Sequence, residues 1–173
     1  MTDPVLDPLS YDPEPCSIAR TLALIGEKWS LLVLRDVFTG VRRFEDMHRR
    51  IGAPRQVLAD RLGTLVEAGI LRRHPYREPG QRTRYEYRLT QAGMDLYPVL
   101  VALLRWGDRH LDNPDGPSMD LAHRDCGEPV DLMLRCRAGH ELSSAREVRP
   151  RPGPGARPLP TATAGARSAA GTG

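Results

Sequence analysis

Long apolar runs are missing from this chain. Among its 173 residues every apolar stretch is soon broken by Arg, Lys or Asp. None approaches the ~20 consecutive apolar residues that span a bilayer. The first 15 residues carry neither a basic segment nor an apolar one, so they do not read as a secretory signal. The chain is therefore expected in the cytoplasm. Cysteine is scarce: Cys16, Cys126 and Cys136 cannot all pair within one chain. In a cytosolic protein they read as thiols or metal ligands rather than a disulfide framework. Lysine is nearly absent, Lys28 being the only one among 25 basic residues. That bias fits a GC-rich genome better than a function, although arginine suits bidentate phosphate and guanine contacts better than lysine. Catalytic signatures are missing too. No G-x-S-x-G, phosphate-loop pattern or H-E-x-x-H occurs, and no nucleophile–base pair can be named. The chain is read as no enzyme and as needing no cofactor.

The charge that is present is concentrated. Net charge is only +3, yet Arg72, Arg73, Arg77, Arg82, Arg84 and Arg88 face just Glu78 and Glu86 within 17 residues. Such a cluster is the electrostatic footprint of a phosphate-binding surface. The ends differ in kind. Residues 1–15 space Pro4, Pro8, Pro13 and Pro15 among four acids, which predicts a mobile arm. Residues 149–173 are rich in Pro, Gly, Ala and Thr, with too little apolar surface to offset the entropy of ordering. They are expected to be disordered, either simply solvated or adding weak non-specific DNA contact through their arginines.

Helical spacing of Ile18, Leu22 and Ile25 predicts a first helix, ended at Gly26. The residues after Trp29, through Phe38, are apolar nearly all round and predict a buried central helix. A short third helix, 45–51, turns Phe44, Met47 and Ile51 inward, with Gly52 and Ala53 as the turn. Pro54 opens a fourth helix, 54–68, at a position where a missing N–H costs nothing. Gly69 is placed to be its left-handed C-cap, with Ile70 folding back. Strands are predicted at 70–74 and 84–89; in the second, Tyr85, Tyr87 and Leu89 alternate with charged residues. Pro79-Gly80 turns the hairpin, and Thr90 caps a last helix running from 91 to about 111. The whole is mainly α with a small β wing, a winged helix-turn-helix over 16–111, followed by an extension over 112–148.

In such a fold the second helix of the helix-turn-helix pair enters the major groove. Its leucines fix the inward face of helix 54–68 and leave Arg55, Gln56, Ala59, Asp60, Gly63 and Thr64 outside. Arg55 and Gln56 lie at the N-terminal end, where reading helices meet bases, and suit guanine and adenine respectively. Small Ala59 allows close approach, and Arg61 is a candidate phosphate contact. The wing tip offers Arg77, Gln81, Arg82 and Arg84 to the flanking backbone. The rival reading is an ordinary solvated helix and hairpin on a protein-interaction module that does not bind DNA.

Several short pieces carry a family likeness. These are Cys16-Ser-Ile-Ala-Arg20, Leu24-Ile-Gly-Glu-Lys-Trp29 and Gly40-Val-Arg-Arg-Phe44. Val57-Leu-Ala-Asp-Arg-Leu62, Glu67-Ala-Gly-Ile-Leu71, Tyr85 to Gly93 and Trp106 complete the set. In this order and spacing, over about 16–111, they resemble the HxlR-type, MarR-like winged-helix regulators of bacteria. The resemblance implies a homodimeric repressor. Its first and last helices would pair the subunits, here through Ile18, Leu22, Leu100, Leu103 and Trp106. Its fourth helix and wing would meet double-stranded DNA. The operator would be palindromic, with half-sites about one turn, ~34 Å, apart. One departure is Ala53, where the family often has a serine that would cap the reading helix.

Two sites remain open. Cys16 enters the first helix, where a thiolate is stabilised. The resemblance adds that some relatives sense oxidants or electrophiles with a cysteine here. Otherwise Cys16 is a small packed residue, and the effector is a small molecule. His123-x2-Cys126 and Cys136-x3-His140 supply four ligands able to close a structural zinc site, with a strand over 130–135 between them. The alternative is a plain hairpin extension.

Overall fold

The structure, a computed structural model, describes residues 7–159. Its helices are α1 (Ser17–Ile25), α2 (Lys28–Phe38), α3 (Phe44–Ile51), α4 (Arg55–Glu67), α5 (Gln91–Met94) and α6 (Tyr97–His110). Strands β1 (Leu71–Tyr76) and β2 (Arg84–Leu89) pair antiparallel, from Leu71 opposite Leu89 to Tyr76 opposite Arg84. Strands β3 (Leu134–Arg135) and β4 (Glu141–Leu142) form a second, minimal hairpin. This is a winged helix-turn-helix. Among the described residues no helix is long and apolar enough to cross a membrane.

Helix α2 is the centre, touching α1, α3, α4, α6 and β2. Its Val33, Leu34 and Val37 join Met47 of α3 and Leu58, Leu62 and Leu65 of α4 in one buried cluster. Each such side chain contributes roughly 1.5–3 kcal/mol on leaving water. The cluster seats the inward face of α4 against α2 and α3. At its far end α4 stops as predicted. Gly69 takes φ +69°, its N–H meets the Val66 carbonyl at 3.0 Å, and the Ile70 N–H meets that of Leu65 at 2.9 Å. Ile70 then packs into the core. The wing is anchored to the helices by the Tyr87 N–H, which donates to the Arg42 carbonyl at 2.8 Å.

Three expectations need correction. The last helix is not continuous. It breaks at Asp95–Leu96 and restarts with Pro98 in the first turn of α6, where proline lacks the N–H that would continue the ladder. Pro54 is the N-cap of α4 and not its first helical residue, with an extended ψ of 140°. Ala53 is consequently core, only 1% exposed, so a cap was not the role lost there. The alternation of β2 fails at Tyr85, which is 52% exposed because the core ends beneath Tyr87.

At the two ends, stretches of 7–15 and 149–159 lie against each other. Pro8–Ser10 forms a 3-10 turn, and Tyr11 bridges Pro158. The Asp12 N–H donates to the Arg157 carbonyl at 2.8 Å, and the Leu159 N–H to that of Ser10 at 2.9 Å. Arm and tail satisfy each other's backbone groups, a partnership invisible when each is read alone. The expectations for 1–6 and 160–173 lie outside the described residues.

Candidate nucleic-acid interface

The N-terminal end of α4 is held by α3. Both terminal nitrogens of Arg55 donate to the Glu45 carboxylate, at 2.9 and 2.6 Å, and the guanidinium lies 5.0 Å from the centre of the Phe44 ring. The charge-assisted pair holds the Glu45 carboxyl below the usual glutamate range and raises the Arg55 guanidinium. Both side chains are more than half exposed, so the pair orients more than it stabilises. One turn on, the Gln56 amide donates to Asp60 at 2.8 Å. Ala59 is exposed and Arg61 half-buried.

A second chain of contacts runs from α3 to the wing. Arg43, which caps α3 without a side-chain bond, donates to Glu78 at 2.8 Å and stacks 4.4 Å from the Tyr76 ring centre. Arg77 donates to the Gln81 carbonyl at 3.1 Å, closing the wing tip around Gly80 at φ +75°. Gln81, Arg82 and Arg84 are exposed. The guanidinium groups of Arg82 and Arg84 have no ion-pair partner among the described residues. Between α3 and the wing lies an open groove of about 830 Å³ whose walls include Arg43, Glu45, Arg49, Arg84 and Tyr85. The predicted wing and helix residues are thus joined into one surface by α3. Arg43 and Glu45 were not singled out by sequence reasoning. Only the doublet Arg42-Arg43 ahead of the helix marked the place.

A buried charge fixes α3 on α2. Asp36 is wholly buried, accepts from Arg35 at 3.0 and 2.7 Å, and lies 3.4 Å from the Arg50 Nε. Arg50 belongs to the last turn of α3, so this triad ties the helix-turn-helix to its central helix.

The remaining predicted residues fall elsewhere. Ile18 and Leu22 on α1 are 71% and 55% exposed, and Leu103 and Trp106 on α6 are 49% and 58% exposed. Leu100 departs from this set, because it packs against the core. Val99, not predicted, is exposed instead. Cys16 is the N-cap of α1 and exposed, so the alternative of a packed core residue does not hold. His123 Nδ1 lies 3.3 Å from the Cys126 sulfur, and His140 Nδ1 lies 3.5 Å from that of Cys136. The four do not converge: among the described residues no three His, Cys, Asp or Glu side chains are grouped to hold a metal ion. The strand expected over 130–135 shrinks to Leu134–Arg135.

Comparison with known proteins places this geometry. The profile of the HxlR-like helix-turn-helix family matches residues 24–115. The uncharacterized HTH-type transcriptional regulator Rv3095 of Mycobacterium tuberculosis is 48% identical over 144 residues, covering 83% of this chain and 90% of that one. The regulator sll1512 of Synechocystis, of the same description, is 35% identical, covering 65% and 82%. Among solved structures, PA1607, a candidate transcription factor, is 38% identical with a TM-score of 0.68, over 78% of this chain and 93% of that one. The redox regulator HypR in its oxidized form is 28% identical with a TM-score of 0.51, over 57% and 100%.

Proposed function

The chain belongs to the HxlR-like helix-turn-helix family, and from that premise we propose that it is a homodimeric, sequence-specific DNA-binding repressor. The observation that carries this reading is the continuous ribbon from Arg55 through Phe44, Glu45 and Arg43 to the wing. Arg55 and Gln56 read base edges in the major groove. Arg61, Arg77, Gln81, Arg82 and Arg84 hold the phosphates on either side. Two copies present two reading helices to a palindromic operator with half-sites ~34 Å apart. A dimer over a promoter excludes polymerase.

The same reading gives Cys16 a role. Its thiol is exposed at the first turn of a helix whose outer face is apolar. Oxidation or alkylation adds bulk where α1 would meet a partner, which changes the spacing of the reading helices. The likeness to HypR supports this part of the reading.

The test is fluorescence anisotropy on an operator selected from random sequence. Wild-type binding is expected to fall steeply as salt rises. Arg55→Ala should cost ~1–3 kcal/mol on the operator and little on random DNA. Arg82→Ala should weaken both alike. Diamide should release the wild type but not Cys16→Ser. Equal losses on both DNAs for Arg55→Ala would remove α4 as the reading helix. Release of Cys16→Ser by diamide would remove Cys16 as the sensor and leave DNA reading intact.

A further inference from the structure

A cleft of about 350 Å³ lies between α2, α6 and residues 118–121, apart from the residues assigned to DNA. Its volume falls within the ~300–1,000 Å³ of small-molecule sites. Two helices supply two of its walls, and the extension after α6 supplies the third. Met119 and Leu121 are half-buried there. The segment is pinned where the Val130 N–H donates to the Leu121 carbonyl at 2.8 Å and Arg105 donates to the Val130 carbonyl at 2.6 Å.

The cleft is not the face of α6 that a second copy would cover. Tyr97, Val101 and Leu104 line it at helical spacing. The exposed Val99, Leu103 and Trp106 repeat that spacing two positions on, about 200° round a helix of 3.6 residues per turn. Of those three, only Leu103 also borders the cleft. The lining also names a chemistry. The rings of Phe38 and Tyr97 stand 5.0 Å apart at 45°, and such rings accept a further aromatic edge-on or offset. Arg35 is the only charged side chain on the wall. Its Nε and Nη2 both donate to Asp36, while Nη1 has no partner among the described residues. One donor is thus open to an oxygen acceptor, and the charge beside it is already matched.

We infer that this cleft binds a small neutral aromatic molecule bearing one oxygen acceptor, and that α3 senses its occupancy. Arg35 joins the two places. It holds Asp36, which also pairs with Arg50 in the last turn of α3. An acceptor on Nη1 draws Arg35 away from Asp36 and loosens the seat of α3 on α2, so ligand and operator weaken each other. The binding half stands alone, and the regulatory half rests on the DNA reading proposed above.

The experiment is titration of the full-length reduced protein with naphthol, by calorimetry and NMR without DNA and then by operator anisotropy. Expected are saturation at one equivalent per chain and the largest shifts at Val101, Leu104 and Met119. Operator affinity should fall about fivefold or more. Ser118 lines the cleft but is exposed, so Ser118→Trp fills the space without touching the core. It should weaken naphthol by about tenfold or more, with unchanged circular dichroism, because a ring-sized apolar surface then stays in water. Arg35→Lys keeps the charge but loses the fork, and should bind naphthol without an effect on operator affinity. Naphthoate should bind more weakly than naphthol, since its carboxylate is costly to desolvate. No saturable naphthol binding, or a Ser118→Trp variant that binds as tightly as the wild type, would overturn the site. Tighter binding of naphthoate would overturn the neutral class. A shift from dimer to monomer on adding naphthol would assign the cleft to a second copy instead. Naphthol binding with unchanged operator affinity would overturn the link to α3. A protein that takes naphthol in the cleft but binds no DNA would keep the site and count against the DNA reading.

Discussion

At the residue scale, Arg55 is held by its own protein. The Glu45 carboxylate occupies both of its terminal nitrogens, the atoms a guanine edge would take. Glu45 is thus an internal competitor that keeps the side chain extended over Phe44 while lowering its availability. Glu45→Gln should tighten non-specific DNA binding by a few-fold, since one negative charge leaves the phosphate side, and reduce discrimination between operator and random DNA. Anisotropy on both DNAs checks this, and unchanged discrimination would show that Glu45 does not steer Arg55. The pair also has a defined pH signature. The folded carboxyl titrates below its ordinary value of 4.5 because of the bonds from Arg55. Its contribution is therefore complete above that value and lost as pH falls through the depressed folded pKa. The stability difference between wild type and Glu45→Gln should stay flat from neutrality to about pH 5 and shrink only below it. Asp36 differs because it is wholly buried between Arg35 and Arg50. Asp36→Ala removes the acceptor of both Arg35 bonds and the ion-pair partner of Arg50, and should cost about 1–3 kcal/mol by denaturant melt. A neutral result would mean that water replaces the carboxylate freely.

At the element scale, the close fit of α5 under the wing decides how the hairpin meets the body. A Cβ on Gly93 would press against the Ile70 carbonyl oxygen and the Leu89 side chain, and the carbonyl cannot step aside without disturbing the α4 cap. Gly93→Ala is expected to destabilise by about 1–3 kcal/mol, the cost of overpacking, seen as a lower urea midpoint with unchanged slope. Glycine and proline also show what was legible beforehand. Gly69 and Thr90 act where their chemistry predicts, because a left-handed cap and a hydroxyl cap are local devices. The period of α2 and α4 is strong enough to fix their inward faces. What escaped were relations between distant segments. The Arg55–Glu45 bridge spans ten positions, and the Arg43–Glu78 bridge spans 35. The contact of Tyr11 with Pro158 joins two stretches that each look structureless. The break before α6 was missed for another reason: the apolar period runs on past Met94, and Pro98 alone reveals that the ladder must restart.

At the scale of the whole molecule, the outer sides of α1 and α6 remain unpaired in one copy. Ile18, Leu22 and Leu24 on α1, with Val99, Leu103 and Trp106 on α6, are all more than 40% exposed. Single exposed apolar side chains are ordinary, but apolar residues spaced along one helix mark an interaction surface. A second copy would satisfy this surface and would at the same time give the protein the two reading helices proposed above, so one interface would serve both stability and palindrome recognition. Charge placed there tests the coupling. Ile18→Asp combined with Trp106→Ala should shift the mass measured by light scattering from dimer to monomer. It should leave the circular dichroism of the domain intact, because neither side chain contributes to the buried cluster. Operator affinity should then fall far more than affinity for a single half-site, since the two halves are no longer linked. A variant that stays dimeric would place the interface elsewhere. A monomer that still binds the full operator as tightly as the wild type would show that recognition needs only one copy.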